Sequence, residues 1–293
     1  MELCIDFGGT DVKLAVMDDG RLQASTAFPV ASEADVLAAA ATAAHALSTR
    51  VGSAPRAVGI AVPGVVDPAT QRMLHANAKY AFLDDFDLTG WACASFDAPA
   101  VVENDARAAL CGETSTGSAA GERDVVLVTL GTGIGTAAMI DGIPLRGRSG
   151  HAGILGGHLT VDLHGPQCPC GNLGCGEALA STWALAAQSD VTMADVFSQE
   201  RHRPLRDEFI AVWGAVVTTL VHSYDPAVVV LSGGILRAGD AVRIPVEAWV
   251  RDHLWPSLRA PRFVVPPQPE LSVARGLSGL ARAHLSHTDL EEK

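Results

Sequence analysis

Three thiols and a carboxylate crowd the stretch CPCGNLGCGE, in which Cys168, Cys170, Cys175 and Glu177 are set among glycines. Thiolates are soft metal ligands, and His158, upstream in GGHLTVD, completes a three-cysteine, one-histidine set suited to tetrahedral Zn2+. Four protein ligands close the shell of such an ion, so the expected zinc is structural and replaces hydrophobic core in a loop that has little. A redox pair competes with this reading, although Cys-x-Cys lacks the spacing of dithiol oxidoreductases. So does a bland one, three free thiols beside an ordinary loop histidine. Glu177 follows the last cysteine, where a clamped loop would hold it rigidly for a ligand.

Two glycine turns offer a second kind of chemistry. Asp6-Phe7-Gly8-Gly9-Thr10 with Lys13, and Gly131-Thr132-Gly133-Ile134-Gly135, each join what reads as two strands. Glycine lets backbone approach a phosphate closely, turn N–H groups can face its oxygens, and Thr10 adds a hydroxyl. Asp6, at a strand end, is placed to orient Mg2+ or its waters. Each turn taken singly also reads as an ordinary hairpin. The second has the glycine count of a dinucleotide fingerprint without its spacing, and a strand follows where that fingerprint needs a helix. Two such turns, one in each half of the chain, favour a shared polyphosphate. A third motif, Glu103-Asn104-Asp105-Ala106, stands at a strand-to-helix junction. Asn104 reads as a helix cap; alternatively, Asp105 is a general base that takes a hydroxyl proton as the oxygen attacks phosphorus.

The elements that must position these groups are short and alternate between strand and helix. Residues 3–18 read as strand, glycine turn and strand, with a further arm near 21–28. A helix is expected over 32–50, with Ser32 as cap and Asp35 as its capping-box partner. Residues 57–67 form a buried strand ending in Pro-Gly. A strand and helix follow over 99–113, then a strand–turn–strand over 124–142, an irregular stretch over 151–180, helix to about 224, a strand over 225–235 and a terminal helix over 274–285. The apolar 209–221 stretch is expected in the core, with a dimer interface as the alternative. The echo between IDFGGTDVKLAV and VTLGTGIGTAAM suggests two related lobes.

Bulk properties agree with an α/β chain. Its 293 residues are 48% hydrophobic and include 29 glycines, enough for two modest domains with buried cores. A net charge of -12 argues against nonspecific nucleic-acid binding and against adhesion to an anionic membrane, while backbone N–H groups can still hold a nucleotide. No apolar run approaches the length of a membrane span, and the N-terminus has no signal-peptide pattern, so a cytoplasmic protein is expected. Cys4, Cys93 and Cys111 lie in apolar surroundings and read as small core residues.

In their order, DFGGTDVK, GIAVPG, ENDARAA, TLGTGIG, Gly157-His158, CPCGNLGCGE and VVLSGGI resemble the ROK family of sugar kinases and related repressors, over nearly the whole chain. The resemblance implies a two-domain actin/hexokinase-like (ribonuclease H-like) fold with ATP and sugar in a cleft between domains. The expected smaller N-terminal domain is 1–114 plus about 275–293, and the larger is 115–274 with the zinc loop at 151–180. By matched position Asp105 is implied as catalytic base, with Asn104, Gly64, His158 and Glu177 at the sugar and His158 also on zinc. The turns at Gly8, Gly9, Thr10 with Asp6 and Lys13, and at Gly131, Thr132, Gly133, are implied to cradle the phosphates of Mg-ATP, with Gly233 and Gly234 near the adenosine. Repressor members carry an N-terminal helix-turn-helix, for which a phosphate turn starting at residue 6 leaves no room. One departure stands out. Where the family reads Gly-Glu-x-Gly-His, this chain reads GILGGH, placing Leu155 or Ile154 at the glutamate position. A hydrogen bond to a charged group contributes about 1.5–3 kcal/mol, so sugar preference should change or weaken. The reading is therefore an ATP-dependent kinase of a hexose or N-acetylhexosamine, with a non-catalytic sugar sensor as the alternative. The sugar, ATP against polyphosphate as donor, and a homodimer remain open.

Overall fold

The computed structural model describes residues 1–30, 36–76 and 78–291. Along the chain run β1 (Glu2–Phe7), β2 (Asp11–Asp18), β3 (Arg21–Pro29), α1 (Val36–Val51), β4 (Ala57–Val62), β5 (Gly64–Val66), β6 (Met73–Ala76), α2 (Leu88–Phe96), β7 (Ala100–Asn104) and α3 (Asp105–Ser115). There follow β8 (Val125–Leu130), β9 (Ile134–Ile140), β10 (Ile143–Pro144), α4 (Gly176–Ala180), α5 (Thr182–Ala186), α6 (Met193–Ser198), α7 (Arg203–Tyr224), β11 (Val228–Ser232), α8 (Asp240–His253), β12 (Arg262–Val264) and α9 (Ser272–Glu291). The expected Ser32 cap and its Asp35 partner lie outside the described residues.

The chain divides into two compact units, Met1–Gly121 with Arg146–His151 and Glu270–Lys293, and Glu122–Leu145 with Ala152–Pro269. The first-unit boundary thus falls at Gly121, later than the expected 114, and by residue span the first unit is the larger, not the smaller. It also takes a third segment, Arg146–His151, because Arg146 and the Gly150 carbonyl bond into the β7–α3 junction.

In the first unit the sheet order is β3-β2-β1-β4-β7, with β1, β4 and β7 parallel. All six residues of β4 are buried, as expected of a parallel strand covered on both faces. One face carries α1, whose buried Val36, Ala40, Ala44 and Leu47 recur at helical spacing. On the other, α9 crosses α3 so closely that a Cβ on Gly112 would lie 1.9 Å from the Ser272 carbonyl oxygen, and one on Gly276 1.8 Å from that of Ala108. This crossing fixes α3, the helix that begins with Asp105.

The second unit repeats the plan with the order β10-β9-β8-β11-β12, where β8, β11 and β12 are parallel. Helix α7 fills its core: Phe209, Trp213, Val216, Val217, Leu220 and Val221 are buried, so the 209–221 stretch is core. Burying each such side chain stabilises the unit by about 1.5–3 kcal/mol. The indole N–H of Trp213 donates to the Ala180 carbonyl at 2.7 Å, so the ring is buried without an unpaired donor. Among the described residues, no helix is long and apolar enough to cross a membrane.

Candidate active site

In the first unit the β1–β2 turn is built on Gly8. Its N–H donates to the Asp11 carbonyl at 3.1 Å, and a Cβ there would lie 2.8 Å from the same oxygen. Gly9 has open space where a side chain would be, which leaves the turn's apex clear for a ligand. Tyr80 donates its hydroxyl to the Gly8 carbonyl at 2.8 Å and braces the turn from below. The β1–β2 register sets Asp6 opposite Lys13, and Lys13 Nζ lies 3.9 Å from Asp6 Oδ2.

The β7–α3 junction supplies the second part. Asn104 is the cap of α3: its Oδ1 accepts from the Arg107 N–H at 3.0 Å. Its Nδ2 donates to the Gly64 carbonyl at 3.1 Å and to Asp105 Oδ1 at 3.0 Å. Asp105 Oδ1 also accepts from the Ala106 N–H at 2.7 Å, so the bonds it takes from neighbouring residues end on one oxygen. Burial pushes the Asp105 carboxyl above the usual range, against the pull of those bonds and of Lys13. Burial likewise raises Asp6 to about 7; Lys13 opposes that rise and the Asp105 carboxylate adds to it. Asp6, Lys13 and Asp105 thus form one electrostatic cluster.

Behind the junction Glu103 is buried, with Oε1 accepting from the Asn104 N–H at 2.8 Å and Arg107 at 2.7 Å, and Oε2 accepting from Arg146 at 2.5 Å. Arg107 also donates to the Gly150 carbonyl at 2.8 Å. Removing one member of such a network leaves a buried charge uncompensated and costs about 3–5 kcal/mol. The sequence pattern does not reveal the Arg146 and Gly150 ends of this network, each 43 residues from its partner. Tyr80 was equally hidden, being one aromatic in a stretch without periodicity.

In the second unit the 131–135 turn is held from several sides. The Gly131 N–H donates to the Gly133 carbonyl at 3.0 Å, and the Ile134 N–H to Glu177 Oε2 at 2.8 Å. A Cβ on Gly133 would lie 2.5 Å from that carboxylate oxygen and would push it off the Ile134 N–H. Glu177 Oε1 accepts from Trp183 Nε1 at 3.3 Å, so both oxygens of the residue matched to a sugar contact already hold protein donors. Gly233 takes φ +95° and lets β8 approach, a Cβ lying only 2.3 Å from the Leu130 carbonyl oxygen. The Gly234 N lies 3.8 Å from where a Gly131 Cβ would be, so the two segments matched to the nucleotide are neighbours.

His158, Cys168, Cys170 and Cys175 converge, their ligand atoms all within 4.8 Å of one another. His158 Nδ1 lies 3.6 Å from Cys168 Sγ, and Cys170 Sγ lies 3.7 Å from Cys175 Sγ. A tetrahedral ion with metal–sulfur bonds of about 2.3 Å spaces its sulfurs by about 3.8 Å, so the four residues fit Zn2+. The departing GILGGH stretch forms a tight 3-10 turn over Gly156–His158. Neither glycine has room for a side chain, a Cβ lying 2.7 Å from Thr136 Oγ1 at Gly156 and 2.1 Å from the Ile134 carbonyl at Gly157. Leu155 stands 44% exposed, an apolar group in open view one turn from His158.

Comparison with known proteins places these features. The xylose repressor of Bacillus spizizenii is 28% identical over 73% of this chain, and the match spans only 58% of the repressor's length. The glucokinase of Thermotoga maritima is 28% identical over 86% of this chain and 88% of its own. The crystal structure of a ROK family glucokinase from Streptomyces griseus, in complex with glucose and AMPPNP, superposes with a TM-score of 0.82 at 27% identity over 96% of this chain and 99% of that one. The two α/β units thus carry the actin-like fold of the ROK kinases. A sequence model of the ROK family matches residues 2–284, and the chain belongs to that family.

Proposed function

We propose that the protein is an ATP-dependent sugar kinase acting on a hexose or N-acetylhexosamine. The observation that carries this reading is Asp105: a half-buried carboxylate at the start of α3, one oxygen pinned by Asn104 and Ala106. Its raised proton affinity suits a base that accepts a hydroxyl proton. The likeness to glucokinases over most of the chain supports the same activity.

In this mechanism Asp105 Oδ2 takes the proton from a sugar hydroxyl, on the exocyclic carbon of a hexose. The oxygen forms its bond to the γ-phosphorus as the bond to the β-phosphate oxygen breaks, and ADP leaves with that electron pair. The Thr132 and Gly133 N–H groups, the Thr10 hydroxyl and the Lys13 ammonium take up charge on the phosphates. Asp6 would hold Mg2+ through its waters, and the ion would neutralise charge between β- and γ-phosphates. Asn104 acts chiefly by aligning Asp105, since both its amide hydrogens are engaged. His158 lies at the sugar through the ring nitrogen turned away from the cysteines, with Leu155 as apolar neighbour. Glu177 accepts from sugar hydroxyls through the lone pairs left on its oxygens, each of which also takes one protein donor.

A coupled ADP-release assay over hexoses and N-acetylhexosamines tests the reading. Sugar-dependent ADP release, lost in Asp105→Asn, is expected. A non-catalytic sugar sensor is the second reading, favoured by the xylose-repressor likeness and by apolar residues where the family has glutamate. It prevails if sugars raise the melting temperature while none elicits ADP release.

A further inference from the structure

The Gly131 turn can bind an anion only while its amides face outward, and a glycine-rich turn does not hold one shape unaided. Its two apical carbonyls are drawn away from the apex by backbone donors of α5: the Thr182 N–H bonds the Gly131 carbonyl at 3.0 Å and the Trp183 N–H bonds that of Thr132 at 3.2 Å. The Ile134 N–H is held by Glu177. The amides of Thr132 and Gly133 donate to no protein acceptor among the described residues and stay available.

Trp183 takes part in two of these restraints, one directly and one through Glu177. Its ring packs on Cys168, Cys175 and Ala178, two of which are metal-ligand positions. Its indole N–H donates to Glu177 Oε1 at 3.3 Å, and its backbone N–H holds the turn directly. A bare carboxylate beside a phosphate cradle would repel the ligand. Glu177, with one donor on each oxygen, ties the turn, and each oxygen keeps a lone pair for a further donor.

We propose that Trp183, acting through Glu177, is the positioning residue that braces the 131–135 turn and links it to the metal-clamped loop. Because it touches no reacting atom, it affects nucleotide binding and leaves the chemical step alone. The nucleotide part of this assignment rests on the kinase reading; the brace itself does not.

Trp183→Phe tests it, keeping a ring on the cysteines while removing the indole donor. Loss of one ordinary hydrogen bond is expected to raise amide exchange over 131–135 about fivefold, with zinc content as in wild type. AMPPNP affinity by titration calorimetry and KM for ATP should each worsen about fivefold, with KM for the sugar and kcat within about twofold of wild type. Glu177→Gln, which sets an amide donor or a weaker acceptor against each N–H, should move exchange and AMPPNP affinity further. Unchanged exchange in both variants overturns the proposal, as does a Trp183→Phe effect confined to the sugar KM. If wild type binds no AMPPNP but the exchange gain appears, the brace stands and the kinase reading falls.

Discussion

Asp105 and Asp6 are both carboxylates whose proton affinity burial has raised, and they make separate predictions. For Asp105 the prediction is chemical. Asn in its place still accepts from Ala106 and Asn104 through its amide oxygen, so α3 should keep its start. It cannot take a proton, and a general base contributes roughly 10²–10⁴ in rate. Asp105→Asn is therefore expected to lower kcat by about that factor, with a sugar-induced melting shift close to that of wild type. Near-full kcat in the ADP-release assay would sink the assignment. For Asp6 the prediction is one of stability. Its folded-state value of about 7 lies above the ordinary 3.8, so the folded protein binds that proton more tightly than the unfolded chain. The stability gained is full below the unfolded value and lost as pH rises through about 7. Asp6→Asn has no such proton to lose. In magnesium-free buffer its melting temperature should gain on wild type between about pH 5 and about pH 8, and a gap that stays constant with pH would refute the argument.

At the scale of elements, the metal loop is the clearest case of local sequence dictating local structure. Residues 159–175 contribute little core beyond Cys168 and Cys175, so a bound ion would replace hydrophobic burial there. One zinc per chain is expected by elemental analysis of fresh protein. Chelation should expose the 151–180 segment to limited proteolysis, and Cys170→Ser should do the same without chelator. Metal-free protein whose loop resists protease would remove zinc from the account. This loop was legible because its ligands sit close in sequence, and the glycine turns and the α3 cap were legible for the same reason. The cap and base readings of Asn104-Asp105, which compete in the sequence, are compatible in the structure: Asn104 caps the helix and its other amide group steers Asp105. Long-range ties were not legible. Nothing near Arg146 signals that it reaches Glu103, and nothing near Trp183 signals that its indole meets Glu177. Buried charges select partners by position in space, and hydropathy patterns carry no such information. Helices α2 and α8 also escaped the sequence reading. Helix α8 carries Pro245 in its interior, which weakens its helical signal in the sequence.

Over the whole molecule, the net charge of -12 bears on the phosphate donor. On the proposed reading, ATP confines its charge to three phosphates, which turn N–H groups and the Lys13 ammonium would meet. A long polyphosphate carries about one negative charge per phosphate and would extend beyond those groups along a protein of net negative charge, where it gains little counter-charge. The repulsion it meets extends over a Debye length of about 10 Å at 0.1 M salt and shrinks to about 3 Å at 1 M. ATP is therefore expected to be the better donor at low ionic strength. Any polyphosphate-supported turnover should rise as salt is added, the reverse of what a basic binding groove gives. Sugar-phosphate formation with each donor, measured from about 20 mM to about 300 mM salt, checks both parts. Polyphosphate matching ATP at the lowest salt would mean that a local basic track overrides the overall charge, and the donor would then have to be argued from that track instead.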